Sequence, residues 1–139
     1  MRSIRGLFSS ISFIGIVACG SAGSLGPPAT LVLNTPPDFT ATVAKVEVES
    51  ANGPAGPYSQ HNVWLVIPPG TAPNAGLVVA NATPVFVRTR DGIFSSNGGG
   101  LSVGDQVEVW HDIQVAYGAA EGPPGAPTYL NLKQIVIDR

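Results

Sequence analysis

From residue 39 onward the hydrophobic positions fall into short runs with a two-residue period. In "FTATVAKVEVES" (39–50), Ala44, Val46 and Val48 alternate with Lys45, Glu47 and Glu49. This is the pattern of a strand with one buried and one solvated face. "NVWLVIP" (62–68) is apolar at successive positions, which predicts a central or long, curved strand. "TPVFVRTRDG" (83–92) alternates less cleanly and closes on an Asp-Gly turn. "DQVEVWHD" (105–112) follows the turn at Gly104 and Asp105, with Val107 and Val109 pointing one way and Glu108 and Trp110 the other. In "TYLNLKQIVI" (128–137) the alternation changes phase near Lys133 and Gln134, as a bulge makes it do.

Gly- and Pro-rich stretches separate these runs: "ANGPAGPYSQ", "PGTAPNAG", "GIFSSNGGG" and "AAEGPPGAP". No segment sustains an apolar period of 3.6 residues, and only a helical turn around Gly92 to Asn97 is open to a helical reading. Five strands without helices predict an all-β domain, a small five-stranded OB-like barrel. The alternative is a small β-sandwich, although an immunoglobulin-type sandwich wants about seven strands.

Residues 1–38 are patterned differently. Arg2 and Arg5 precede the apolar run "GLFSSISFIGIVA", and small residues follow it. Such a run is shorter than the roughly 20 residues of a membrane-spanning helix and has the layout of an export signal. It ends at Cys19, the sole cysteine, so no disulfide can form within one chain. From Gly20 to Asp38 two Pro-Pro pairs and small residues predict a flexible tether. Thr30–Leu33 ("TLVL") within it is open to reading as an extra edge strand or as a linker segment.

Ile16-Val17-Ala18-Cys19 resembles the lipobox of bacterial lipoproteins, with an aliphatic residue three before the cysteine and a small one just before it. The resemblance implies a diacylglyceryl group on the Cys19 thiol and cleavage that leaves Cys19 as the first residue. Two or three acyl chains anchor a protein stably where one binds only marginally. The competing reading is ordinary secretion, with cleavage after Ala22 and loss of Cys19. The resulting organisation is a signal peptide (1–18), a lipidated cysteine and tether (19–38), and an OB-like domain (39–139). Gly20, in place of the Asp that retains enteric lipoproteins in the inner membrane, favours the outer membrane.

Residues 83–139 also resemble the closing half of the YobA-like family, small bacterial lipoproteins with an OB-like domain. The resemblance rests on "ATPVFV", on "LSVGDQVEVWHD", on "VAYG" and on the terminal "LKQIVI"; the Gly/Pro insert at 118–127 departs from it. It implies architecture and location, and no activity.

Without Arg2 and Arg5, five basic residues face nine acidic ones, a net charge of −4. That is the wrong sign for general nucleic-acid binding, which needs a basic surface. Arg88 and Arg90 lie on one face of the third predicted strand, and OB-like barrels bind extended ligands across such faces. With Trp64 they form a candidate surface for an anionic glycan or peptide; otherwise they are solvated arginines beside Asp91. Trp110 is a candidate stacking platform, or else it covers an open end of the core. His61 and His111 are too far apart in sequence to make a metal motif, and Glu47 with Glu49 reads as a solvated face. "SNGGGLSVG" lacks the Lys-Ser/Thr of a phosphate loop, and no G-x-S-x-G elbow occurs. No catalytic residue, metal or cofactor is read from the chain. It reads as a lipid-anchored protein of the bacterial cell envelope, facing the periplasm or the cell exterior. Its domain is expected to be a non-enzymatic binding or accessory module for an envelope protein, peptide or glycan. An envelope hydrolase and a structural subunit of an envelope complex are the alternatives.

Overall fold

A computed structural model describes residues 25–54, 56–96, 100–112 and 114–139; Cys19 and the export signal lie outside them. Among the described residues nine strands form: β1 (Phe39–Gly53), β2 (Gly56–Val66), β3 (Ala75–Ala80), β4 (Val85–Thr89), β5 (Gly92–Ser95), β6 (Gln106–His111), β7 (Val115–Tyr117), β8 (Pro127–Tyr129) and β9 (Leu132–Asp138). The protein is all-β, and its strands make one mixed sheet in the order β5-β4-β9-β6-β1-β2-β3-β8-β7. The five predicted strands correspond to β1, β2, β4, β6 and the β8–β9 pair. The region around Gly92, read as a possible helical turn, is instead β5 as far as Ser95. Its backbone answers to β4, with which it forms a hairpin across Thr89 and Gly92. Gly92 has φ +138, a conformation that a side chain disfavours.

The strand count differs from the prediction because β3 (the first half of a third barrel strand broken in two), β5 and β7 lie outside the five predicted runs, and because the fifth barrel strand is likewise broken, into β8 and β9. β3 leads into β4 through a turn in which Thr83 N–H donates to Ala80 O, and Pro84 then interrupts the ladder. β8 leads into β9 through Leu130 and Asn131. The halves pair in parallel, β3 with β8 (Gly76 opposite Thr128) and β4 with β9 (Val85 opposite Ile135). With β1 antiparallel to both β2 and β6, and β6 antiparallel to β9, the connectivity is that of an OB-like barrel. No ladder joins the edge strands β5 and β7, so the barrel is partly open.

One face of the sheet surrounds the main core: Ala41, Val43, Val63, Leu65, Leu77, Val79, Val87, Val107, Val109, Ile135 and Ile137, all nearly inaccessible. Full burial of each Leu or Ile stabilises by roughly 1.5–3 kcal/mol. Two bulges adjust this face. One lies in β1 between Val43 and Lys45. The other lies opposite Trp110 and His111, which pair with Gln134 and Leu132 and leave Lys133 extra. That is the position of the phase change in the sequence.

The opposite face carries a second, smaller core of Phe86, Trp110 and Val136. Residues 25–38, whose composition predicts tether, run across it as an extended strap with Ala29, Leu31 and Leu33 packed inward. Gly26 N–H donates to Ser95 O and Ala29 N–H to Ile93 O, while Asp38 N–H donates to Val109 O, each at 2.9 Å. Thr30–Leu33 is therefore neither a ladder strand nor a free linker: Leu31 and Leu33 are half-buried, and Val32 points outward, 62% exposed. Composition shows the prolines; it does not show that the apolar residues between them have a sheet face to cover.

Candidate functional site

β1 and β2 extend past the barrel as a two-stranded arm that ends at Gly53 and Gly56. Beyond the β1 bulge, Lys45 pairs with Trp64, Glu47 with Asn62 and Glu49 with Gln60. Period-two alternation places these six side chains on the outer face of the arm. Residues 118–127, the Gly/Pro insert, fold back toward the same face. Gly122, Pro123 and Ala126 are buried there. The approach is close at Gly76 in β3: a Cβ there would lie 2.8 Å from Gly122 Cα and 2.9 Å from Thr128 Oγ1. The Trp64 indole N–H donates to Glu121 O at 3.0 Å, which fixes the insert beside the arm.

Between arm and insert lies an open groove of about 720 Å³, lined by Glu47, Val48, Glu49, Ser50, Asn62, Ala120 and Glu121. Its polar groups are partly organised. Asn62 Nδ2 donates to Glu49 Oε2 at 2.9 Å, and Gln60 Nε2 donates to Asn62 Oδ1 at 2.9 Å and to Glu49 Oε2 at 3.3 Å. Lys45 Nζ sits 3.0 Å from Glu47 Oε1 and 4.3 Å from the centroid of the Trp64 ring. Carboxylates at 47, 49 and 121 against one ammonium leave the groove net negative. Chemically it suits a cation or a donor-rich segment, and the ordered amides give it direction as well as charge.

The sequence-derived candidates are dispersed. Trp64 supports the wall of this groove through its contact with Glu121. Trp110 is 4% exposed, lies beneath the strap and donates its indole N–H to Thr35 O at 3.0 Å. It closes the second core and offers no free ring face. β9, β6 and β1 lie between Arg88 on β4 and Trp64 on β2 in the sheet order, and the two side chains are engaged by different partners. Its guanidinium is taken up by Glu108 on β6 (3.0 and 3.2 Å) and Asp138 on β9 (2.8 Å). Hydrogen bonding to Glu108 raises the Arg88 pKa; partial burial opposes this, and Asp138 adds to it. Arg90 is exposed in the turn between β4 and β5. His61 lies on β2 opposite Val48 and Val79, and His111 ends β6. Among the described residues no group of three or more His, Cys, Asp or Glu side chains is placed to hold a metal ion.

Two features escape a reading of the sequence. Tyr129, His111 and Phe39 pack as tilted rings, with centroids 4.3 Å apart for His111–Tyr129 and 5.1 Å for Phe39–Tyr129. Burial, then Tyr117 and Asp38, push the Tyr129 hydroxyl pKa above its ordinary value. The three come from β8, β6 and β1, and no spacing in the sequence announces their meeting. Glu121 sits in an insert whose composition reads only as loop; the Trp64 partner gives it a place. No protein-family model, no curated protein and no solved structure matches the chain.

Proposed function

We propose that this chain is a lipid-anchored protein of the bacterial cell envelope whose barrel acts as a non-enzymatic binding or accessory module. The observation that carries the reading is Cys19 at the end of an apolar run, in Ile16-Val17-Ala18-Cys19, a few residues before the packed strap begins. The resemblance of residues 83–139 to the YobA-like lipoproteins supports the same location. The groove between the β1–β2 arm and residues 118–127 is the surface assigned to binding, for a positively charged segment of an envelope protein or peptide. Arg88 is committed to Glu108 and Asp138 and Trp110 to the strap, which shifts the expected ligand from anionic to cationic.

The test is expression in a bacterial host, detergent-phase partition and intact-mass measurement of wild type against Cys19→Ala. Wild type should partition with detergent and carry the mass of a diacylglyceryl or triacylated cysteine, and Cys19→Ala should do neither. A soluble wild-type product that begins at Gly23 would establish plain secretion instead.

A further inference from the structure

We propose that the cationic ligand of the groove binds as an added β-strand along the open edge of β1, and that it is a segment in which basic and apolar residues alternate. The proposal rests on the reading that the groove takes a positively charged segment, and it adds how that segment is held. β1 pairs with β6 over residues 39–42. Val43 then bonds the turn before β6: its N–H donates to Asp105 O at 2.9 Å, and its carbonyl accepts from Gly104 N–H at 2.8 Å. Over residues 45–53 the ladder of β1 is with β2 alone. Among the described residues no strand pairs with the other side of that stretch. Alternate residues of such an edge turn N–H and C=O outward, and an extended chain laid beside them satisfies both groups.

The other edges are short or covered. The strap lies antiparallel beside β5, with Pro28 opposite Phe94. Gly26 N–H donates to Ser95 O at 2.9 Å, Ser95 N–H to Pro27 O at 3.0 Å and Ala29 N–H to Ile93 O at 2.9 Å. β7 has only three residues, Val115 to Tyr117. β2 pairs with β3 as far as Gln60 and is open only over residues 56–59. The chain thus caps one edge with its own N-terminal residues and leaves residues 45–53 of β1 as the long open one.

The side chains along this edge define the segment. Lys45, Glu47 and Glu49 stand on the outer face, and Val46 and Val48 on the inner one. Lys45 Nζ sits 3.0 Å from Glu47 Oε1, whereas Glu49 is held by the uncharged amides of Asn62 and Gln60. Among the described residues no cation pairs with Glu49. Val48 is 64% exposed. Residues opposite each other in paired strands share a face, and opposite charges there attract while like charges repel. A basic residue beside Glu49 is therefore followed by an apolar one beside Val48 and a basic one beside Glu47. A second copy of the chain brings the same two carboxylates and is the poorer occupant. Glu47, Val48, Glu49 and Ser50 all line the groove, so it runs along β1, and Glu121 adds another carboxylate to it.

The test is titration of the full chain, in non-ionic detergent, with the acetylated peptide Lys-Val-Lys-Val-Lys-Val-Lys and two derivatives. One derivative is N-methylated on the backbone of its lysines and the other on that of its valines, so each loses the donors of one edge and keeps its charge. The parent should bind saturably and slow amide exchange within residues 45–53. One derivative should lose about tenfold or more in affinity while the other binds as the parent does. Glu47→Gln combined with Glu49→Gln should weaken the parent by a similar factor. Equal affinity of all three peptides, or equal loss in both derivatives, overturns strand addition and leaves the charged groove standing. No binding of the parent, indifference to the glutamine variant, or equal binding of Glu-Val-Glu-Val-Glu-Val-Glu overturns the groove reading and the proposal with it. A chain that dimerises without peptide, with those amides already protected, gives the edge to a second copy and overturns the proposal.

Discussion

Gln134 and Leu33, a hundred and one positions apart, hold each other by two hydrogen bonds. Leu33 N–H donates to Gln134 Oε1 at 2.9 Å, and Gln134 Nε2 donates to Leu33 O at 3.1 Å. The amide is fully buried in β9, and it completes for one residue of the strap what a neighbouring strand would otherwise supply. Gln134→Leu keeps the volume and leaves both backbone groups of Leu33 without partners. It should destabilise by about 1–3 kcal/mol, read from urea unfolding. An unchanged midpoint would mean that the strap contributes nothing to the folded barrel.

Trp110 separates packing from hydrogen bonding in the same region. Trp110→Phe retains most of the ring area and loses the bond to Thr35 O, and should cost about 1 kcal/mol. Trp110→Ala should cost about 3–5 kcal/mol, since it empties the second core. Thermal unfolding of both variants checks the ratio. Equal, small effects would place the ring outside the core.

Thr128 presents the reverse case. Its Oγ1 is buried and has no hydrogen-bond partner among the described residues, wedged between Gly76 and Gly122. Thr128→Val preserves the shape and removes the unpaired hydroxyl. It should raise stability by about 1 kcal/mol or more. A loss of stability would show that the hydroxyl is satisfied in solution.

Gly76→Ala tests the seat of the insert. The added methyl meets Gly122 Cα at 2.8 Å, a backbone contact that must give way. The variant should lose about 1–3 kcal/mol, and the fluorescence of Trp64 should shift as its bond to Glu121 O loosens. An emission spectrum identical to wild type would show that arm and insert are not coupled.

Alkaline pH gives a signed prediction at Tyr129, whose pKa is raised above 10.0, first by burial and then by Tyr117 and Asp38. The unfolded chain releases this proton first as pH rises, so stability is complete below about 10 and falls above it. Tyr129→Phe should flatten that part of the stability curve, while absorbance at 295 nm in wild type should show one tyrosine titrating late. No late-titrating tyrosine would remove Tyr129 from its buried setting. Arg88 has the same sign at still higher pH.

The strands were legible where a period of two has one solvated face, as at Lys45, Glu47 and Glu49. The bulge at Lys133 was legible too, because an extra residue must shift the alternation. The breaks in the third and fifth barrel strands were not. They depend on which half of β3–β4 meets which half of β8–β9, a long-range register that no local pattern carries. The strap was hidden for a similar reason: Leu31 and Leu33 look like linker residues until Phe86, Trp110 and Val136 supply a face. At the site, Trp64 was singled out, but with Arg88 and Arg90 as companions. The topology gives it Lys45 and Glu121 instead, because Lys45 pairs with Trp64 across β1 and β2 and the insert that carries Glu121 seats against Gly76 of β3.

The strap has a mechanical consequence. Because it is the only covalent path into β1 from the N-terminal side, tension applied ahead of Leu25 reaches its short bonds to β5 before it reaches the barrel. Those bonds yield in sequence, from Gly26 toward Leu33, and the cover of Trp110 goes with them. We predict that pulling on the N-terminus gives a low-force extension preceding barrel rupture, with Trp110 becoming accessible to a quencher in that interval. A single rupture event in force spectroscopy would contradict it. A load on the chain would then be converted into exposure of an apolar surface.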